Sequence, residues 1–282
     1  GAIPPIQLAT PGAQVIGSAG DGGHDEGSST VVNLGFNFQF FGSTYNQLYV
    51  NNNGNVTLGY TSGTVTTGEP QQANAPIGFP QNLPMIAPFW SDVDTTLLGG
   101  RYEGEVRMVK GNSVRGQAYI QIDWLDVGYH HVAGDTNDLQ NNFTLYIEDD
   151  PSGDIVNFVY HGMEWTTGDD DPVNKPGMPG GANGFGGPGA VIGFDAGDGL
   201  GFRTVAQPSD AAGLQALAAL PNQGYAWRFD PQTGVPGEAN PTVDAPVVDL
   251  VKGGTVVISP SYQGSSPLIK LPFIFEFYGV GY

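Results

Sequence analysis

The chain has 282 residues, with 28 acidic side chains against 9 basic ones, a formal charge of −19 and no cysteine. That balance excludes a nucleic-acid partner, because phosphate binding needs clustered Lys and Arg. The missing cysteines exclude a disulfide-stapled scaffold.

With 44 Gly and 22 Pro scattered among short apolar runs, and 39% hydrophobic residues, the composition predicts an all-β protein rich in turns. Residues 1–30 read as a Pro- and Gly-rich N-terminal arm with one apolar stretch, Ala13-Gln14-Val15-Ile16. From Val31 the alternation is strong. Leu34, Phe36, Phe38 and Phe40 stand on alternate positions, the period of a half-buried strand. Tyr49 to Leu58 reads as a hairpin, with Asn53-Gly54 suited to a type I′ turn. Residues 61–84 read as a polar loop and Met85 to Trp90 as a buried run. Strands are predicted over Gly104 to Val109, Ala118 to Trp124, Asn142 to Glu148, Ile155 to Tyr160 and Ala190 to Phe194.

Thr166 to Gly189 is a long loop of Gly, Pro, Asn and Asp. One helix is predicted over Ser209 to Leu220, capped by Ser209 or Asp210 and stopped by Pro221. Gly224 to Phe229 is a closing strand, and residues 231–246 are a linker by composition. Residues 247–282 then form a C-terminal β extension or the start of a second repeat. The predicted fold is an all-β antiparallel sandwich with one short helix and that extension.

The extension repeats an earlier strand. Leu34-Gly35-Phe36-Asn37-Phe38-Gln39-Phe40-Phe41-Gly42-Ser43-Thr44-Tyr45 returns as Leu271-Pro272-Phe273-Ile274-Phe275-Glu276-Phe277-Tyr278-Gly279-Val280-Gly281-Tyr282. The Leu, three Phe, the Gly and the Tyr are identical. Apolar edge strands pair with other chains, and strand donation exploits this. The expected donor is the strand of Leu271, Phe273, Phe275 and Phe277. Its acceptor region is that of Leu34, Phe36, Phe38 and Phe40, with residues 1–16 as a second arm of the same kind. A head-to-tail contact between copies gives a ring or a filament.

Several segments together resemble the nidogen-like (NIDO) extracellular domain. They are Leu34 to Gly42 with Tyr45, Tyr49 to Val56, Ile86 to Asp94, Asn142 to Ile147, Val191 to Phe194, Gly197-Asp198-Gly199 and Trp227-Arg228-Phe229. Their order and spacing fit residues 31–230. The resemblance implies a β-rich module of matrix and cell-surface proteins without established catalysis. The absence of cysteine and the 166–189 loop depart from the animal members, so the microbial surface-protein type is expected, and no partner-binding surface carries over.

Carboxylates in loops are what Ca²⁺ takes. The candidate calcium residues are Asp92 and Asp94, Asp195 and Asp198, and Asp21 and Asp25. They are weighed against ordinary solvated turn residues, which Asp favours. Zinc is not expected, because there is no Cys and His130-His131 point to opposite sides of a strand. Glu105, Asp123, Asp126, Glu148 and Glu164 lie on or beside strands, near Trp124 and Trp165. They leave open an alternative, a carbohydrate-binding or glycan-hydrolysing module. An adhesin using the 166–189 loop is a third class. No nucleophile motif is present, so no catalytic residue is assigned.

No apolar run is long enough to span a bilayer, and the opening Gly1-Ala2-Ile3-Pro4-Pro5 reads as a mature or trimmed end. The expectation is therefore a secreted, non-enzymatic cell-surface or matrix protein. It would assemble with itself, with an extracellular protein or glycan as a further partner and Ca²⁺ as a stiffener.

Overall fold

Alternating apolar residues at Val32, Leu34, Phe36, Phe38 and Phe40 bury one face of a nine-residue strand and leave Asn33, Gly35 and Asn37 exposed. Other strands are buried on both faces: Met85–Trp90, Asn141–Glu148 and Val191–Asp195 have no exposed residue. The computed structural model describes residues 14–16, 28–29, 31–60, 78–95, 97–98, 101–102, 104–113, 115–131, 137–168, 181–187, 189–238, 276–277 and 280–281. The chain divides into two units, Gly1–Asp249 and Leu250–Tyr282.

The strands of the first unit are β1 (Gln14–Ile16), β2 (Val32–Phe40), β3 (Ser43–Asn51), β4 (Asn55–Tyr60), β5 (Met85–Trp90) and β6 (Val93–Asp94). They continue with β7 (Leu97–Leu98), β8 (Arg101–Tyr102), β9 (Glu105–Asn112), β10 (Ala118–Tyr129), β11 (Asn141–Glu148) and β12 (Ile155–Gly162). The last are β13 (Val191–Asp195), β14 (Phe202–Ala206) and, after the helix α1 (Ala211–Ala218), β15 (Gly224–Arg228). In the second unit β16 (Glu276–Phe277) pairs with β17 (Val280–Gly281).

Two antiparallel sheets make the sandwich. One has the order β1-β9-β10-β11-β12-β15, with β6 also paired to β10. The other runs β14-β13-β5-β4-β3-β2. Their inner faces share one aromatic core. Trp124 stacks on Phe143 at 5.0 Å, and Phe158, Phe194, Trp227 and Phe229 meet in edge or tilted contacts. Each fully buried ring contributes about 1.5–3 kcal/mol over the exposed state.

The β2–β3 turn is Phe41-Gly42, with φ of 45° and 80°, the signs of a type I′ turn. Phe at such a φ is strained. Its ring packs edge-on to Phe40 at 4.9 Å and its N–H donates to Gly234 O at 2.9 Å, which offsets that strain.

The β3–β4 hairpin differs from the expected type I′ turn. Asn51 pairs with Asn55, so the loop has three residues, Asn52-Asn53-Gly54, and only Gly54 has a positive φ. Asn53 is held otherwise: its side chain accepts from Val93 N at 2.9 Å and its carbonyl from Ser91 N at 3.2 Å. A Cβ on Gly54 would sit 1.9 Å from Phe89 O, so only glycine fits there.

The helix begins at its cap, where the Asp210 carboxylate accepts from Gly213 N at 2.8 Å, and it turns Leu214 and Leu217 into the core. The strand Phe202–Ala206 does not stand out in the sequence. It is an edge strand with no fully buried residue: Phe202 and Thr204 are exposed and Arg203, Val205 and Ala206 half-buried, so its sequence carries no apolar alternation to mark it.

Candidate functional site

Ser91-Asp92-Val93-Asp94 leaves β5 and lies against the Asn-rich turn. Asn52 Nδ2 donates to Val93 O at 2.6 Å, and Ser91 Oγ donates to Thr166 O at 3.0 Å. Asn51 Nδ2 donates to Asn55 Oδ1 at 2.7 Å, and Trp124 Nε1 reaches Asn52 O at 3.0 Å. The result is a buried polar plug at one end of the sandwich. Buried amides are tolerated only when bonded, and these are. Asp92 is buried within the plug and Asp94 is half-buried opposite Gly128.

Asp195 and Asp198 hold the backbone in place. Asp195 is fully buried; Oδ1 accepts from Gly197 N at 2.7 Å and Oδ2 from Gln81 N. Burial pushes its carboxyl up, and those two donors pull it back down. Asp198 is exposed and accepts from Leu200 N and Gly201 N, which hold its carboxyl below the usual range. Asp21 and Asp25 lie outside the described residues. Among the described residues, no three His, Cys, Asp or Glu side chains are grouped to hold a metal.

The strand candidates divide differently. Leu34, Phe36, Phe38 and Phe40 face the protein's own core, where Phe38 and Phe40 pack on Phe229 at 5.3 and 5.9 Å. Their strand β2 ends its sheet, yet its outer side is occupied. Gln39 N donates to Asp154 Oδ2 at 3.2 Å, and Lys110 Nζ to Asn33 O at 2.8 Å. Phe41 N and Gly42 N donate to Gly234 O and Thr233 O at 2.9 and 2.6 Å.

Those carbonyls belong to residues 230–238, a tight turn that also touches two more strands. Gly237 N donates to Arg228 O at 3.0 Å, and Arg203 on β14 donates to Gly237 O at 2.7 Å. Residues 231–238, read from composition as the start of a linker, are thus bonded to the ends of β2, β14 and β15.

Leu271, Phe273 and Phe275 lie outside the described residues, while Phe277 stands in β16. There Phe277 pairs with Val280 and Glu276 with Gly281. At the matching positions, Phe40 pairs with Ser43 and Gln39 with Thr44. Where the second copy is described, its pairing register is therefore that of the first.

The acid–base candidates do not converge. Trp124 and Trp165 are in the core, so neither forms an exposed platform. Asp123 and Glu148 lie on adjacent strands, but Asp123 faces Thr144 and Glu148 faces Tyr119. Four residues along a strand is about 13 Å, beyond the roughly 5–9.5 Å of paired glycosidase carboxylates. Each has local partners. Asp123 accepts from Thr144 Oγ1 at 2.6 Å and Gln121 Nε2 at 2.9 Å. Glu148 accepts from Arg115 at 2.7 Å and from Tyr146 OH at 2.6 Å; burial, with that hydrogen bond, pushes the Tyr146 phenol far up. Glu105 pairs with Arg107. Asp126, at φ 49°, bonds Asn142 at 2.8 Å, and Glu164 accepts from Gln140 N at 2.9 Å. His130 and His131 lie just past the end of β10, not within it.

Sequence reasoning missed Asp154. It projects from the β11–β12 turn to cap β2 of the other sheet. Burial, with Asp149 and Asp150 adding repulsion, raises its carboxyl to about 6.

A family described as NIDO related matches residues 6–231. Alpha-tectorin from mouse and alpha-tectorin from human are each 28% identical to the chain over 191 residues, 62% of this chain. The chain spans only 8% of the length of these curated relatives. No solved structure matches the chain at a significant level.

Proposed function

Because this chain belongs to the NIDO-related family, we propose that it is a non-enzymatic, extracellular structural and adhesive protein. In this reading it is a secreted surface or matrix subunit that assembles with itself by strand donation. The observation that carries the reading is the segment written twice in the sequence, at Leu34 to Tyr45 and again at Leu271 to Tyr282, with the same pairing register at the described residues 276–277 and 280–281. A strand pattern already suited to this kind of sheet is a ready donor to a neighbouring copy. Similarity to alpha-tectorin supports the extracellular, structural side of the proposal. Placement at a microbial cell surface belongs to the same reading and rests on the absent cysteines. Calcium enters as a stiffener of the acidic loops, attracted by the charge of −19.

Electron microscopy of the purified chain, with and without a calcium chelator, tests this. Filaments or rings that vanish on deletion of residues 260–282 are the expected result. Their loss in chelator would support the calcium role. Monodisperse single particles at every concentration would sink the assembly reading.

A further inference from the structure

The two outer edges of the six-stranded sheet differ, and the free one lies far from the duplicated strand's counterpart. Strand β14 ends the sheet opposite β2, and no described element pairs with its outer side. Ala196 N donates to Gly201 O at 2.6 Å, which makes that pair hydrogen-bonded. Counting along the antiparallel ladder, Phe194 and Arg203 form the next bonded pair. Phe202 and Thr204 therefore turn their backbone N–H and C=O groups away from β13. Next to them stand exposed apolar side chains: Leu200 is 85% exposed and Phe202 44%. Val235, 46% exposed, lies one residue from the carbonyl of Pro236 that Arg203 contacts.

We propose that β14 is the acceptor edge, and that it takes the Leu271–Phe277 strand of a second copy as an added antiparallel strand. This rests on the self-assembly reading above and names the surface it uses. Three observations select this occupant. In the donor hairpin Phe277 faces Val280 as the bonded pair, so Glu276 turns its backbone N–H and C=O away from β17. Pro272 offers no N–H, so the pairing is short, Ile274 and Glu276 against Thr204 and Phe202. In that register Phe275 falls beside Arg203, which sets the Phe row on the side where Val205 packs against the core. Finally, the donor strand carries a single charge, Glu276, and the single charge of β14, Arg203, is already paired with Glu238 at 3.2 Å. At −19 per chain, two copies repel over most of their surfaces, and these two strands are charge-poor by comparison.

Full-length variants test the proposal. The chain has no cysteine, so any disulfide is an engineered one. Arg203 and Phe275 would face each other across a non-bonded pair, where Cα atoms lie about 4.5 Å apart, within disulfide range. A chain carrying both Arg203→Cys and Phe275→Cys is expected to give a covalent ladder on mild oxidation, whereas either change alone stops at dimers. Thr204→Pro removes only an outward N–H, so melting should stay as in wild type while association weakens by about ten-fold or more. Phe202→Glu should weaken association likewise by sedimentation velocity.

Thr204→Pro chains that associate like wild type, or a double-cysteine chain that stops at dimers, would overturn β14 as acceptor. If in that case deletion of residues 260–282 still abolishes assembly, strand donation stands with another acceptor. A wild-type chain that stays monomeric removes the assembly reading and this proposal together.

Discussion

The two edges of one sheet solve the same problem in opposite ways. At β2 the outer backbone groups meet the Asp154 carboxylate, the Lys110 ammonium and the carbonyls of Thr233 and Gly234. At β14 nothing described pairs with Phe202 and Thr204. Unpaired edges are a hazard that folded proteins usually cover or charge. One edge here is covered from three directions and the other is left apolar. The difference teaches that the resident copy of the duplicated strand is locked into its own fold, so its outer edge is a poor place for a newcomer.

The contrast can be broken hardest from the inside of the covered edge. Phe38→Ala empties a site shared with Phe40 and Phe229, and should cost about 3–5 kcal/mol by denaturant unfolding. A loss below about 1 kcal/mol would mean that β2 is not integral to the core.

Uncovering the edge comes next. Gly234 has φ 64°, and a Cβ there would sit 2.5 Å from Phe40 N. Gly234→Ala should destabilise by about 1–3 kcal/mol and speed amide exchange at Phe41 and Gly42. Unchanged exchange would show that the turn does not hold those two N–H groups.

The carboxylate at that edge makes a pH prediction. Asp154 titrates near 6 when folded against 3.8 as a free side chain. A raised acid favours the protonated folded state, so its contribution is full below about 3.8 and is lost as pH rises through about 6. Asp154→Asn keeps an acceptor for Gln39 N and removes the buried charge. It should stabilise the protein by roughly 1 kcal/mol at pH 7, after discounting for solvent screening, and by nothing at pH 3.5. Equal stabilities of the two proteins across that range would refute the shift. Smallest of all, Phe202→Ala on the open edge should change stability by less than about 0.5 kcal/mol, and a larger loss would show that β14 leans on its exposed ring.

Much of this fold is legible in the sequence, and the reason is periodicity. Phe36, Phe38 and Phe40 announce β2 because one face is buried and the other wet. Asn142 to Glu148 and Ile155 to Tyr160 announce a hairpin because Pro151 and Gly153 break the run between them. Pairing order is not legible, since the neighbour of β5 in the sheet is β13, about a hundred residues on. The Asn51–Asn55 cluster reads as a simple hairpin turn because Asn-Gly favours one. Its burial depends on partners at Ser91, Val93 and Trp124, which one-dimensional reasoning does not bring together. Residues 231–238 mislead for the opposite reason. Pro231, Gly234, Pro236 and Gly237 look slack in composition, yet the same residues allow a tight turn. The donor–acceptor scheme is legible only by half: the repeat is plain in the chain, but the free edge becomes apparent only once the ladder is known.

The turn at 230–238 also decides how the molecule would bear load. Among the described residues, tension arriving from the C-terminal side meets Glu238, paired with Arg203, and then Gly237, which is bonded to Arg228 in one sheet and to Arg203 in the other. The pull is thereby shared between the two layers instead of peeling a single strand. In a stretched array such a joint should give one abrupt rupture per body in force spectroscopy, and a gradual unzipping of β15 alone would contradict it.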